Sequence, residues 1–203
     1  MRYLIYCLGG LCLFLMACSN GLETVETKDD YGYAIKYTRS KKDYAKQGLY
    51  TKWDEKGQKY EEANYKDDQL NGERKLYYEN GQVQIVENYI NGSFEGPYQT
   101  FYENGQMEID GQYVNNEASG EWKKYYDSSE LMEIVQLKNN LENGPFVEYY
   151  RNGNKKAEGT YLDGDNEHGL LQMYNQAGEL VKKMDCKRGV CRTTWEKPDA
   201  KEQ

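Results

Sequence analysis

A glycine recurs along this chain at a nearly constant step, and that step constrains the fold more than any other feature. Gly48, Gly72, Gly96, Gly120, Gly144 and Gly169 stand 24, 24, 24, 24 and 25 residues apart. A fixed period of this size marks a stacked repeat, in which each unit buries its surface only against its neighbours. Other columns keep the same step. Five residues after each glycine stands an aromatic: Trp53, Tyr77, Phe101, Tyr125, Tyr149 and Tyr174. The next column reads Asp54, Tyr78, Tyr102, Tyr126, Tyr150 and Asn175. A second glycine follows at Gly57, Gly81, Gly105, Gly153 and Gly178, with Ser129 in the remaining unit. Seventeen residues after the first glycine stand Tyr65, Tyr89, Tyr113, Leu137, Tyr161 and Cys186.

Each unit reads as two short strands, for example Glu73 to Tyr78 and Gln82 to Tyr89. Between them lies Glu79-Asn80-Gly81, and Asn-Gly between alternating runs is a hairpin signal because both residues tolerate positive φ. A second turn follows, at Asn91-Gly92 or Asp163-Gly164, and Asp67-Asp68, Asn115-Asn116 and Asn139-Asn140 fill its slot elsewhere. The hairpin register has two solutions. A three-residue loop with Gly81 as a bulge sets Tyr77 opposite Val83, with Ile85 and Tyr89 expected on the same face. A two-residue Asn-Gly loop faces Tyr78 with Val83 instead, and a one-residue slip exchanges the faces. The bulged loop is favoured because the column of Tyr77 is aromatic in all six units. Trp53, Tyr77, Phe101, Tyr125, Tyr149 and Tyr174 are then expected to stack as a structural ladder.

Composition alone points the other way. Few aliphatic residues and a net charge of −8 suggest disorder. The 21 tyrosines resolve the conflict, since they bury broad rings and favour strands. Twelve or so strands predict an all-β, elongated single-sheet solenoid of antiparallel hairpins, roughly 55–60 Å long. The acidic balance argues against nucleic acid and anionic lipid head groups as partners.

The first residues are different. Arg2 is followed by an almost wholly apolar run from Leu4 to Met16 and then Leu15-Met16-Ala17-Cys18. A basic start, an apolar centre and a small residue before the cut are the parts of a secretory signal. The run is too short to span a bilayer. Leu15 to Cys18 resembles the lipobox of bacterial lipoproteins, which implies cleavage after Ala17 and lipidation of Cys18. Cys7 and Cys12 leave with the signal, and the loss of Arg2 takes the net charge to −9. The acyl chains would then supply the membrane contact. Ser19, rather than an aspartate, follows the cysteine, which implies the outer membrane in a cell that has one.

Residues 1–17 are therefore read as signal peptide and 18–24 as a lipidated linker. Residues 25–47 form a degenerate capping half-repeat, in which Tyr31, Tyr33, Ile35 and Tyr37 alternate. Residues 48–191 hold six hairpin repeats, and 192–203 are a polar tail. Lys41-Lys42 and the lysine-rich tail discourage edge pairing.

The inventory for chemistry is poor. His168 is the only histidine, and it sits beside the acidic loop Asp163–Glu167 as a solvated residue. Zinc needs several Cys or His ligands at short spacing, and the calcium-loop spacing is missing around Asp163 and Asp165. No cofactor, metal or catalytic residue is expected, and the chain is read as no enzyme. Cys186 and Cys191, in an exported chain, are expected to form a disulfide clip around Gly189. Tyr78, Tyr98, Tyr102, Trp122, Tyr126 and Tyr150 form a candidate binding stripe, since exposed aromatic rows often mark contact surfaces. Packing between rings is the competing explanation.

Gly-x-aromatic-x-x-Tyr-Tyr-x-Asn-Gly is clearest in Gly72–Gly81, Gly96–Gly105 and Gly144–Gly153. It resembles the MORN repeat variant, over residues 48 to about 186. The lipid-anchored form resembles bacterial proteins of the YwqK antitoxin family. The resemblance implies a repeated-hairpin sheet and, at one remove, toxin neutralisation, and it brings no catalytic residues. The expected function is a membrane-anchored interaction lipoprotein with a protein partner, of antitoxin or immunity type. A structural envelope spacer and a surface glycan-binding protein are the alternatives.

Overall fold

The computed structural model describes residues 21–198, and these contain strands and turns with no helix. The chain runs as an antiparallel meander that builds one 17-stranded sheet. It opens with β1 (Leu22–Lys28) and β2 (Ala34–Ser40). The next hairpins are β3 (Lys46–Trp53) with β4 (Lys59–Lys66), and β5 (Gln69–Tyr77) with β6 (Val83–Ile90). In the third unit an interruption at Glu95 divides the first strand into β7 (Ser93–Phe94) and β8 (Gly96–Phe101), ahead of β9 (Met107–Val114). The fourth is divided in the same way into β10 (Glu117–Ala118) and β11 (Gly120–Tyr125), ahead of β12 (Leu131–Lys138). β13 (Leu141–Tyr149) pairs β14 (Lys155–Tyr161), β15 (Gly169–Tyr174) pairs β16 (Leu180–Lys187), and β17 (Val190–Glu196) closes the sheet.

Two kinds of turn alternate, and their residues explain both. Inside each hairpin the Tyr78 C=O accepts from the Gly81 N–H at 2.9 Å and the Tyr78 N–H donates to the Gln82 C=O at 2.9 Å. Gly81 has φ 83°. This is the bulged three-residue loop, and Tyr77 faces Val83 as expected. Between hairpins, two consecutive residues take positive φ, as at Asn91 and Gly92 with 49° and 82°. Such type I′ turns match the twist of the strands and select Asn, Asp and Gly.

One expectation about faces is overturned. Pairing slips between Leu76 and Tyr77, so that Leu76 meets Ile85. Gln84 is the extra residue of a second bulge, and it reverses the alternation. Tyr77 and Val83 share one face, whereas Ile85 and Tyr89 lie on the other. The same slip precedes Trp53, Phe101, Tyr125, Tyr149 and Tyr174.

The core lies on the Tyr89 face. Its rows are the residue two after each repeat glycine and the residue seventeen after. Rings meet at 5.6 Å between Tyr50 and Tyr65, 4.5 Å between Tyr89 and Phe94, 5.5 Å between Tyr113 and Trp122, and 4.0 Å between Phe146 and Tyr161. Val135, Phe146, Ala157, Leu171 and Cys186 form the most buried cluster. Small residues make room for the rings. A Cβ on Gly111 would lie 2.3 Å from the Trp122 indole, which rests on the bare backbone there. Even so, the described residues include no large side chain that is fully buried. A single layer of hairpins covers its rings side by side and leaves each partly wet.

The ends are built differently from the sequence-based expectation. β1 begins at Leu22, inside the stretch assigned to the linker, and β1 with β2 makes a complete hairpin rather than a half-unit. β17 runs to Glu196, inside the stretch assigned to the polar tail. Cys186 and Cys191 face each other next to the last I′ turn and form a disulfide. The bridge takes the place that Tyr89 and Phe94 hold in the second junction. The signal segment and Cys18 lie outside the described residues.

Candidate functional site

The tyrosine column at the hairpin loops is a set of clasps. The Tyr78 hydroxyl donates to the Phe101 carbonyl at 2.8 Å, and Tyr102 to the Tyr125 carbonyl at 2.7 Å. Tyr126 donates to Tyr149 at 2.8 Å and Tyr150 to Tyr174 at 2.9 Å. Each loop is thereby tied to the loop one unit on. Asn80, Asn104 and Asn152 repeat the tie with their side-chain amides, on Glu103, Asp127 and Gln176. In the outer units the column changes chemistry. Asp54 and Asn175 turn their side chains back on their own loops, accepting the Lys56 and Ala177 amides.

The stripe expected from the sequence therefore does not form one open surface. Tyr98 and Trp122 belong to the core face, where their rings stand 5.7 Å apart. All six of its members are half-buried, and the four loop tyrosines spend their hydroxyls on the main chain. The physical reason is the bulge, which brings the residue seventeen after glycine onto the face of the residue two after it, so that the two rows cover each other.

The column of Trp53, Tyr77, Phe101, Tyr125, Tyr149 and Tyr174 runs along the opposite face, but its rings do not stack as expected: the ring pairs among the described residues involve other positions, since neighbours in this column stand two strands apart. Near its two ends the same cluster appears twice. Tyr77 donates to Glu62, which also pairs with Lys59 at 2.8 Å. Tyr174 donates to Glu158, which pairs with Lys155 at 2.7 Å. The bond to Glu158, with burial behind it, pushes the Tyr174 phenol up to about 12. The Lys155 ammonium and the Tyr174 hydroxyl hold the Glu158 carboxyl below the usual range. These groups are locked to one another and leave no free acid and base facing a common space.

Charge also enters the core face. Arg74 stands in the column otherwise filled by Tyr50, Tyr98, Trp122, Phe146 and Leu171. Its guanidinium reaches Glu61 at 2.6 Å and Glu87 at 2.8 Å. Burial alone would pull its pKa down, but the two carboxylates carry it above the ordinary value. Tyr89 donates to Glu87 at 3.0 Å, and burial pushes its phenol up to about 12. Further along, Glu133 lies directly opposite Glu148. Burial and then Glu148 raise the Glu133 carboxyl above its usual value.

Among the repeat hairpins, most of the exposed large apolar side chains are aliphatic. On the ladder face, beside the I′ turns, Leu49, Ile90, Val114, Leu141 and Leu170 are 53%, 54%, 42%, 51% and 56% exposed. Pro97 and Pro145 stand exposed in the column of Leu49 and Leu170, directly after the repeat glycine. Ile90 pairs with Ser93, Val114 with Glu117 and Leu141 with Lys138, so each apolar side chain has a polar neighbour. The row was missed in the sequence because the alternation was assigned to the other face. His168 is exposed, and its backbone N–H donates to the Thr160 carbonyl. No group of three or more potential metal ligands occurs among the described residues.

The units match a family description. The model of the MORN repeat variant covers residues 46–67, 70–91, 94–115, 118–139 and 142–163. The chain belongs to the MORN repeat variant family. No curated protein matches it. Each matched MORN segment starts at or near the strand that enters a bulged loop and ends in the following I′ turn. The hairpin of β15 and β16 repeats that geometry outside the match. Its departures from the MORN pattern are Asn175 in the tyrosine column, Cys186 in the next, and one added residue before Gly169.

Proposed function

We propose that this MORN repeat protein is a non-enzymatic interaction protein, held at a bacterial membrane by a lipid on Cys18, that docks a protein partner along its exposed aliphatic row. The observation that carries the reading is the row itself. Ile90 and Val114 stand one unit apart, about 10 Å for two strands per unit, Leu141 follows three strands beyond Val114, opposite Lys138, and half or nearly half of each side chain faces solvent. Exposed apolar side chains on a polar face of mixed charge suit a partner with a matching apolar strip. Such an array offers length and regular spacing rather than a pocket. The antitoxin or immunity role is the specific form favoured by the resemblance to YwqK-type proteins, and the partner would then be a toxin. The glycan-binding alternative relied on an open tyrosine stripe, and the loop tyrosines are occupied as clasps.

The tether is short. With β1 starting at Leu22, a lipid on Cys18 would keep the first strand within about 14 Å of the bilayer. Metabolic labelling with palmitate checks this: label on the natural chain and none on Cys18→Ser supports the anchor, and equal labelling removes it.

The docking surface is tested by affinity capture from the source cell. The bait is the lipid-free mature chain, beside a variant carrying Ile90→Lys, Val114→Lys and Leu141→Lys. These exposed substitutions leave the core rows intact. A partner retained by the first and lost by the second is the expected result. A partner held equally by both would move the docking site elsewhere.

A further inference from the structure

We propose that β1 is a pairing edge, and that two copies of this chain join through it, antiparallel about a two-fold axis at Val25, into one continuous sheet. An open sheet has two edges, and among the described residues only one is protected. At the C-terminal edge, β17 is bulged beside Lys183 and Met184, stapled through Cys191, and followed by Lys197 and Pro198. Bulges, cations and proline are the usual protections of an edge strand. β1 has no bulge and no proline, and its one cation, Lys28, is its last residue. It pairs β2 over seven residues without a register shift, whereas the later hairpins all carry one. A flat edge rich in β-branched residues (Thr24, Val25, Thr27) is a template for another strand.

Its acidic side chains are already matched inside the chain. Glu23 pairs with Arg39 at 2.8 Å and Glu26 with Lys36 at 2.8 Å. The repulsion that would keep two such edges apart is thereby reduced. The backbone fixes which groups are free. The Gly21 C=O accepts from Lys41 and the Asp29 N–H donates to Tyr33, so the odd residues face β2. Alternation then turns the N–H and C=O of Leu22, Thr24, Glu26 and Lys28 to the open side.

A two-fold axis at Val25 matches these groups in pairs. Thr24 meets Glu26 of the second copy, Leu22 meets its Lys28, and the two Val25 side chains meet across the axis. No like charges stand opposite, and all seven residues of β1 are used. An axis at Glu26 would instead set the two Glu26 side chains face to face. Val25 faces Tyr37, and Tyr37 faces Tyr50, so the pairing would carry the row of core side chains straight into the second copy. The interface is isologous, which closes at two copies while β17 stays capped.

Cysteine cross-linking in the full chain tests the axis. Val25→Cys places the two thiols in a directly opposed pair, within disulfide reach. Lys28→Cys places them about 20 Å apart along the strands. Under mild oxidation the first variant is expected to run as a dimer on a non-reducing gel. Its digest is expected to hold two copies of the substituted β1 peptide joined by a disulfide at the introduced cysteine. The second variant and the parent chain are expected to gain no such band. Adding Thr24→Pro to Val25→Cys removes an outward N–H without touching the β1–β2 pairs, and the dimer is expected to be lost. A Val25→Cys chain that stays monomeric overturns the proposal. So does cross-linking at Lys28→Cys of equal strength, or a dimer that survives Thr24→Pro.

Discussion

Single residues set the phase of this fold, and Arg74 is the most exposed to test. It holds two carboxylates, Glu61 and Glu87, on the covered face. Arg74→Ala leaves both without a partner, and the expected loss is about 3 kcal/mol in urea unfolding. Replacing the whole set by what other units carry there (Glu61→Ile, Arg74→Tyr, Glu87→Val) is expected to give stability equal to or above that of the natural chain. If Arg74→Ala changes nothing, the network has no share in stability. Glu133 makes the opposite case. Its carboxyl is raised from 4.5 by burial and by Glu148 opposite. The fold therefore favours the neutral acid. That contribution is present below the unfolded value and lost as pH rises through the folded one. Glu133→Gln is expected to add about 0.5 kcal/mol at neutral pH and nothing near pH 4. A gain that persists in acid would contradict the cause given.

At the scale of the element, the hairpin is held by chemistry that the sequence displays and by a bulge that it hides. The loops were legible because Gly81, Asn91 and Gly92 are the residues that positive φ selects. The facing of Tyr77 and Val83 followed from the loop. The faces of Ile85 and Tyr89 did not, because nothing in Gln84 distinguishes a bulged residue from a paired one. The clasps were invisible for a similar reason, since a phenol at a loop reads the same whether it is free or bonded to a carbonyl one unit away. Arg74 could have been found by aligning the units, where it interrupts a column of rings. The clasps have a measurable worth. Tyr102→Phe keeps the ring and deletes one hydrogen bond to the Tyr125 carbonyl. The expected cost is about 1 kcal/mol by denaturant unfolding. Combining it with Tyr150→Phe, two units away, is expected to add the two costs. A neutral Tyr102→Phe would mean that the hydroxyl is equally content with water.

For the whole molecule, the 24-residue step was enough to fix a one-layer array, and the ends were not legible because they break the step. The terminal strand depends on its staple. Apart from the half-buried Cys191, every residue of β17 is exposed, so little besides backbone pairing and the disulfide holds it. Reduction is expected to cost about 2 kcal/mol and to raise hydrogen exchange over residues 190–197 while residues 46–163 keep their protection. Uniform loss of protection would instead make the bridge a support of the entire sheet.

Which side chains are covered and which are offered to a partner rests on one assignment, the face each residue takes after the bulge. Leu170 and Leu171 report it directly. They are neighbours of identical chemistry, 56% and 8% exposed. Hydroxyl-radical footprinting of the folded chain, read residue by residue by mass spectrometry, is expected to oxidise Leu170 several-fold faster than Leu171. Equal rates, or a faster Leu171, would mean that the aliphatic row is not the face this protein turns outward.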